Sequence, residues 1–211
     1  MKVLQSEPIK ALMRARKLDY KNPKTDTINL TRSFECGSER KIIVYLPPLD
    51  ESCEFSETTK RLLGFLLWKY QEIQSQLIEF TLKEYCEFCK LSNKDKAIKK
   101  LRQDLELLSG ISLKWIGSLA TLDEVTGKRS KPSPPSEHRI ALFKRNSLKK
   151  NSPYQISFSD SFYKLIPVLG FMYVPTSILQ FSSQQHPHTF SLGWSLCAHW
   201  NVNQVKKRQR C

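Results

Sequence analysis

The stretch "TLKEYCEFCKLSNKDKAIKKLRQDLELLSG", residues 81–110, holds two helix starts with almost no chain between them. Thr81-Leu-Lys-Glu84 is a capping-box pattern, in which a hydroxyl and a carboxylate satisfy backbone donors of a first helical turn. Ser92-Asn-Lys-Asp95 is a weaker one and opens a second helix over 93–109. Gly110 stands where a C′ glycine ends that helix. Only "KLSN" separates the two. Helices joined by so short a turn make a helix-turn-helix.

The first of these helices carries Cys86 and Cys89, and a CxxC raises metal or thiol chemistry as a rival reading. A structural zinc site takes four nitrogen or sulfur ligands, usually as two pairs. Cys36, Cys53, Cys197 and Cys211 form no second close pair, and His138, His186, His188 and His199 lie far downstream. Redox pairs sit at a helix N-terminus, where the dipole lowers the thiol pKa. Cys86 falls instead in the second turn. At spacing i and i+3 the two cysteines share one helix face, and at least one is expected to pack as a small apolar residue. No metal site and no cofactor are expected.

Around this stretch the chain predicts an α+β order. "TINLTRS" (27–33) and "RKIIVYL" (40–46) are β-rich and alternate. A helix over 57–75 follows, with Ser56 as N-cap and a buried stripe of Leu63, Leu66, Leu67, Tyr70 and Ile73. "QLIEF" (76–80) is a short strand before the two helices, and "ISLKWIG" one after them. A polar loop rich in Ser and Pro then leads to strands at 138–146 and 154–159. Helix, strand, helix, helix, strand, long loop, strand is the winged-helix plan. The expected division is a basic, loosely structured arm over 1–25 and a complete winged helix over 26–152, with a long wing loop at 117–137. Short helices are expected at 159–166, 175–183 and 189–204, and a basic tail at 204–211.

Charge points to the partner. Lys plus Arg number 34 against 20 for Asp plus Glu, a net charge of +14, and an excess of this size suits a polyanion such as nucleic acid. No run of 18 apolar residues is present, so no membrane partner is expected, and the N-terminus lacks the apolar region of a secretory signal. A cytoplasmic protein with reduced thiols is the resulting expectation. There is no phosphate-binding Gly-rich loop, no HExxH and no GxSxG, and the acids do not cluster as a two-metal site requires, so no catalytic residues and no enzyme are expected.

The second helix supplies the candidate contacts. With Leu101 at the centre of a stripe of Ala97, Ile98, Leu101, Leu105 and Leu108, steps of about 100° place Lys96, Lys99 and Gln103 nearly opposite. Lys100 and Arg102 flank them, and Asp104 and Glu106 lie further along the outward face. Lys and Arg match phosphates or guanine edges, and Gln can read adenine. An ordinary solvated helix face would also favour these residues. In the wing, residues 128–150 hold eight basic residues against Glu137, and Lys128, Arg129 and Lys131 are candidates for the DNA backbone or minor groove.

"FTLKEYCEFCKLSNKDKAIKKLRQDLELLSGISLKW" resembles the first winged-helix domain of plasmid replication initiator (Rep) proteins. "IALFKRNSLKKNSPYQISFSDSFYKLI" looks like the wing's return strands and the entry to a second module, and "YVPTSILQFSSQQHPHTFSLGWSLCAHWNVN" like the helical start of that module. The resemblance spans roughly residues 40–203. It implies two winged helices that bind repeated origin sites, recruit host replication proteins and often repress their own gene, with homodimers as the repressing form. It also implies that helix 93–109 faces DNA. The chain departs from the pattern by ending where the second recognition helix should begin, so a partial second module over 153–203 is expected. The function so implied is sequence-specific duplex-DNA binding in bacterial plasmid replication initiation. The rivals are a winged-helix transcription regulator without an origin role, a zinc- or thiol-dependent protein using Cys86 and Cys89, and a structural RNA-binding protein.

Overall fold

Residues 59–67 are buried without a break in the computed structural model, so the helix that contains them has no solvent face over two and a half turns. A helix buried all round sits in the middle of a core. The structure describes residues 2–5, 9, 12–13, 27–33, 39–45, 56–91, 94–117, 136–144, 153–166, 170–180 and 189–197. In chain order the strands are β1 Lys2–Gln5, β2 Thr27–Ser33, β3 Glu39–Tyr45, β4 Leu77–Phe80, β5 Ser112–Gly117, β6 Ser136–Ala141, β7 Phe143–Lys144, β8 Tyr154–Phe158 and β9 Gly170–Tyr173. The helices are α1 Glu57–Ile73, α2 Leu82–Cys89, α3 Lys94–Gly110, α4 Asp160–Leu165 and α5 at 189–197, with a 3-10 turn at Thr176–Gln180.

The central helix α1 begins where expected. The Ser56 N–H donates to Thr59 Oγ1 at 3.3 Å, which occupies one of the donors that a helix start leaves open. It ends at Ile73, where Gln74 turns left-handed at φ 50° and its N–H reaches the Tyr70 carbonyl at 2.7 Å. The predicted stripe holds for Leu63, Leu66, Leu67 and Tyr70, but Ile73 is 42% exposed, because the last turn runs past the core.

The described strands form three antiparallel sheets, β2-β3-β5-β6, β4-β8-β7 and β1-β9, and α1 packs against β1 and β4. Within the second, Ile78 stands opposite Ile156 and Phe80 opposite Tyr154, whose rings stack at 5.6 Å. The strand predicted at 138–146 is in fact two. Leu142 enters the core, and its carbonyl accepts the Ser159 N–H at 3.0 Å, so the chain leaves β5 after Ala141 and joins β8 at Phe143.

The N-terminal segment is not merely a loose arm. β1 pairs with β9, Lys2 opposite Tyr173 through Gln5 opposite Gly170, and Ile9, Leu12 and Met13 are buried in the main core. Their spacing of i, i+3 and i+4 is a helical stripe within a segment whose basic residues mask it. At the other end, β8 pairs with β4, and Phe190 and Trp194 of α5 lie in the same core cluster as α1, α2 and α3. The boundary drawn after residue 152 thus precedes a strand whose partner lies at Leu77–Phe80. Gly64 faces this last layer, where a Cβ would lie 2.7 Å from Leu179 Cδ2 and 3.4 Å from the Phe190 ring, so a larger residue would make the Leu179 side chain shift. Of the helix predicted at 175–183 the structure holds the five-residue 3-10 turn, and of 189–204 it describes helix to residue 197.

Candidate nucleic-acid interface

Helices α2 and α3 stand in the tight arrangement their caps predict. The Glu84 N–H donates to Thr81 Oγ1 at 3.1 Å, which is half of a capping box. The other half is absent, because the Glu84 carboxylate is engaged by Lys69 of α1. The turn closes through Lys90, left-handed at φ 52°, with the Leu91 N–H donating to the Cys86 carbonyl at 2.9 Å. Ser92 and Asn93 of the second capping pattern lie outside the described residues. α2 is fastened by rings: Phe65 of α1 meets Tyr85 and Phe88 edge-on, both at 5.3 Å, and Trp68 stacks on Phe88 at 4.1 Å.

Both cysteines of the CxxC face inward. Cys89 is a core residue, and burial pushes its thiol up to about 12, well away from the thiolate that metal binding or redox exchange needs. Among the described residues no group of three His, Cys, Asp or Glu side chains could hold a metal ion.

Helix α3 buries Leu101, Leu105, Leu107 and Leu108, and with them Asp104, which is 1% exposed. The expectation that Asp104 lies along the outward face is therefore corrected. Its Oδ1 accepts from Thr59 Oγ1 of α1 at 2.7 Å and pairs with Lys100 Nζ at 2.9 Å. Burial raises the Asp104 carboxyl above its ordinary value, against the opposing effects of Lys100, Thr59 and Thr58. Lys100, a predicted contact, is thus turned towards the body of the protein.

What remains outward is narrower and rotated. Lys99, Arg102 and Glu106 are exposed, Ile98 and Gln103 are half-buried, and these five line a shallow cleft of about 430 Å³. Three of the predicted contacts, Lys99, Arg102 and Gln103, are therefore brought together on one surface. Lys96 belongs to α3 by its backbone, but its side chain lies outside the described residues, as do Lys128, Arg129 and Lys131 of the wing loop. Ile98 and Glu106 join the surface although the sequence assigns Ile98 to the buried stripe. In the wing hairpin, Lys114 of β5 stands opposite exposed Arg139 of β6.

A family model described as initiator replication protein, WH1, matches residues 49–192, running through the strand β8 and the helix α4. Among solved structures, the chain is similar to selenomethionine derivatives of domains 2 and 3 of RctB, at 10% identity and a TM-score of 0.53, over 88% of this chain and 70% of that one. A second structure of RctB domains 2 and 3 aligns at 11% identity and a TM-score of 0.47, over 74% of this chain and 59% of that one. At 10% identity the first of these likenesses is one of fold. No curated protein matches the chain in sequence. Among the described residues no helix is long and apolar enough to cross a membrane.

Proposed function

The chain belongs to the initiator replication protein family through its WH1 domain, and from that premise we propose that it binds duplex origin DNA with α3 as its reading helix. The observation that carries the reading is the surface formed by exposed Lys99 and Arg102 and half-buried Gln103 on the second helix of a helix-turn-helix, whose opposite face is buried through Leu101, Leu105 and Leu108. Lys99 and Arg102 suit phosphates or a guanine edge, and Gln103 an adenine edge. The wing hairpin, with Lys114 and Arg139, lies along the backbone in this reading. The protein acts by binding and performs no chemistry of its own. Host replication proteins and a second copy of the chain are the partners that such a complex recruits at the repeated sites of a bacterial plasmid origin.

The test is a salt-dependent titration of the full chain on duplex DNA from beside its own gene, against scrambled duplex and RNA. Preference for the native duplex that persists at moderate salt supports sequence reading at an origin. Equal and steeply salt-sensitive binding to all three leaves only charge attraction and ends the proposal. Repeated sites beside the gene distinguish an initiator from a regulator with the same fold.

A further inference from the structure

Asp104 sits at the meeting point of two elements. Lys100 Nζ lies 2.9 Å from its Oδ1 within α3, and Thr59 Oγ1 of α1 donates to the same oxygen at 2.7 Å. Both Asp104 and Thr59 are buried, while the Lys100 side chain retains 35% exposure. A buried ion pair of this kind adds little net stability, because desolvation offsets the attraction, and its attested use is to select one arrangement over others.

Here the arrangement is rotational. Neighbouring helix positions differ by about 100°. An apolar stripe centred on Leu101 leaves Lys99, Gln103 and Lys96 outermost and places Lys100 and Arg102 as equal flanks. The observed helix is turned from that setting: Leu107 and Asp104 are buried on one flank, while Arg102 and Glu106 are exposed on the other. The Asp104 carboxylate meets Thr59 of α1 from this inward side.

We infer that Asp104 is a positioning residue for the DNA-facing helix, held by Thr59, and that Lys100 is its counter-charge and not a phosphate contact. The pair sets which side chains α3 presents, namely Lys99, Arg102 and Gln103 with Glu106 at the edge. This rests on the DNA-binding reading of α3, and the test separates the two.

The experiment is the same salt titration on native and scrambled duplex, applied to variants of the full chain. A side chain that touches a phosphate lowers the salt slope by about one unit when removed. Lys99→Ala and Arg102→Ala are expected to do so. Lys100→Met is expected to keep the wild-type slope. Thr59→Val, which removes the hydroxyl at nearly constant shape, is expected to weaken binding about 2- to 30-fold at unchanged slope, with Thr59→Ser restoring it. The double variant Lys100→Met with Asp104→Leu replaces the pair by apolar groups, so it stays folded while its preference for native over scrambled duplex falls. A slope reduced by one in Lys100→Met overturns the inference alone. Wild-type affinity and preference in both Thr59→Val and the double variant also overturn it. Unchanged slope and affinity in Lys99→Ala and Arg102→Ala overturn the DNA-facing reading of α3 and this inference with it.

Discussion

The backbone N–H of Ser191 donates to Glu57 Oε2 at 3.2 Å, so a carboxylate in the first turn of α1 caps a helix that begins more than 130 residues later. The Ser191 hydroxyl donates to Glu57 Oε1, and Lys60 Nζ reaches that same oxygen and Ser191 Oγ, both at 2.8 Å. Thr59, the residue before Lys60, holds Asp104 of α3. One turn of α1 thus fastens α5 on one side and the candidate DNA-reading helix on the other.

Glu57→Ala removes the cap from α5 and takes a carboxylate from buried Lys60. The expected loss is roughly 1.5–3 kcal/mol, the range for hydrogen bonds to a charged group. Chemical denaturation checks it, and an unchanged midpoint and slope would show that the triad contributes nothing to folding.

Leu101→Ala and Ile73→Ala separate the two halves of the predicted apolar stripes. Leu101 is buried, and its truncation is expected to cost about 2–5 kcal/mol. Ile73 is largely outward, and its truncation is expected to stay within about 0.5 kcal/mol. Equal losses in the two variants would contradict the burial assigned to each.

Cys89 titrates in the wrong direction for a reactive thiol. Its pKa rises from an ordinary 9 to about 12, chiefly by burial. The folded state therefore holds the proton more tightly than the unfolded chain. The stability this contributes is intact below 9 and is lost as pH rises towards 12. At neutral pH, a thiol reagent is expected to label native wild type and native Cys89→Ala equally. In denaturant the variant should take up one label fewer, and a deficit already visible in the native state would falsify the buried assignment.

Asp104 supplies a pH dependence of its own. It is faced by Lys100 from α3, by Thr58 and Thr59 from α1, and by Tyr85 of α2, whose own pKa it helps to raise. Burial is the largest effect and lifts the carboxyl above its ordinary 3.8. The contribution favours folding below 3.8 and is lost as pH rises through the lifted value. Asp104→Asn is neutral throughout, so the stability difference between wild type and variant should shift in favour of wild type on acidification through that window. A difference that stays flat with pH would mean the carboxyl is not perturbed.

Much of the helix-turn-helix is legible without coordinates. Thr81 caps α2, Ser56 starts α1, the turn after Cys89 is short, and the inward leucines of α3 repeat at helical spacing. Each of these is a local matter, settled by a side chain and a backbone group within four residues of one another. The same holds for the cysteine pair, whose position in the second turn of α2 already disfavoured a redox site. The candidate face was legible only in part. Lys99 and Arg102 are exposed as periodicity expects, whereas Gln103, expected outermost, is half-buried. Asp104, three residues after Leu101 and thus about 60° from it, already falls in the apolar sector; what periodicity does not give is its partner Thr59, 45 residues away on another helix.

The sequence by itself determined the helices that follow Ser56 and Thr81, the strands at 27–33, 77–80 and 112–117 and the inward leucines of the second helix, since caps and periodicity act over a few residues. Tertiary structure alone decided the rotation of α3, the inward path of Ile9, Leu12 and Met13, the pairing of Lys2–Gln5 with Gly170–Tyr173, and the change of sheet at Leu142. Each of these depends on a partner far along the chain, and a local pattern cannot say which distant hydroxyl, strand edge or apolar cavity will be there to meet it.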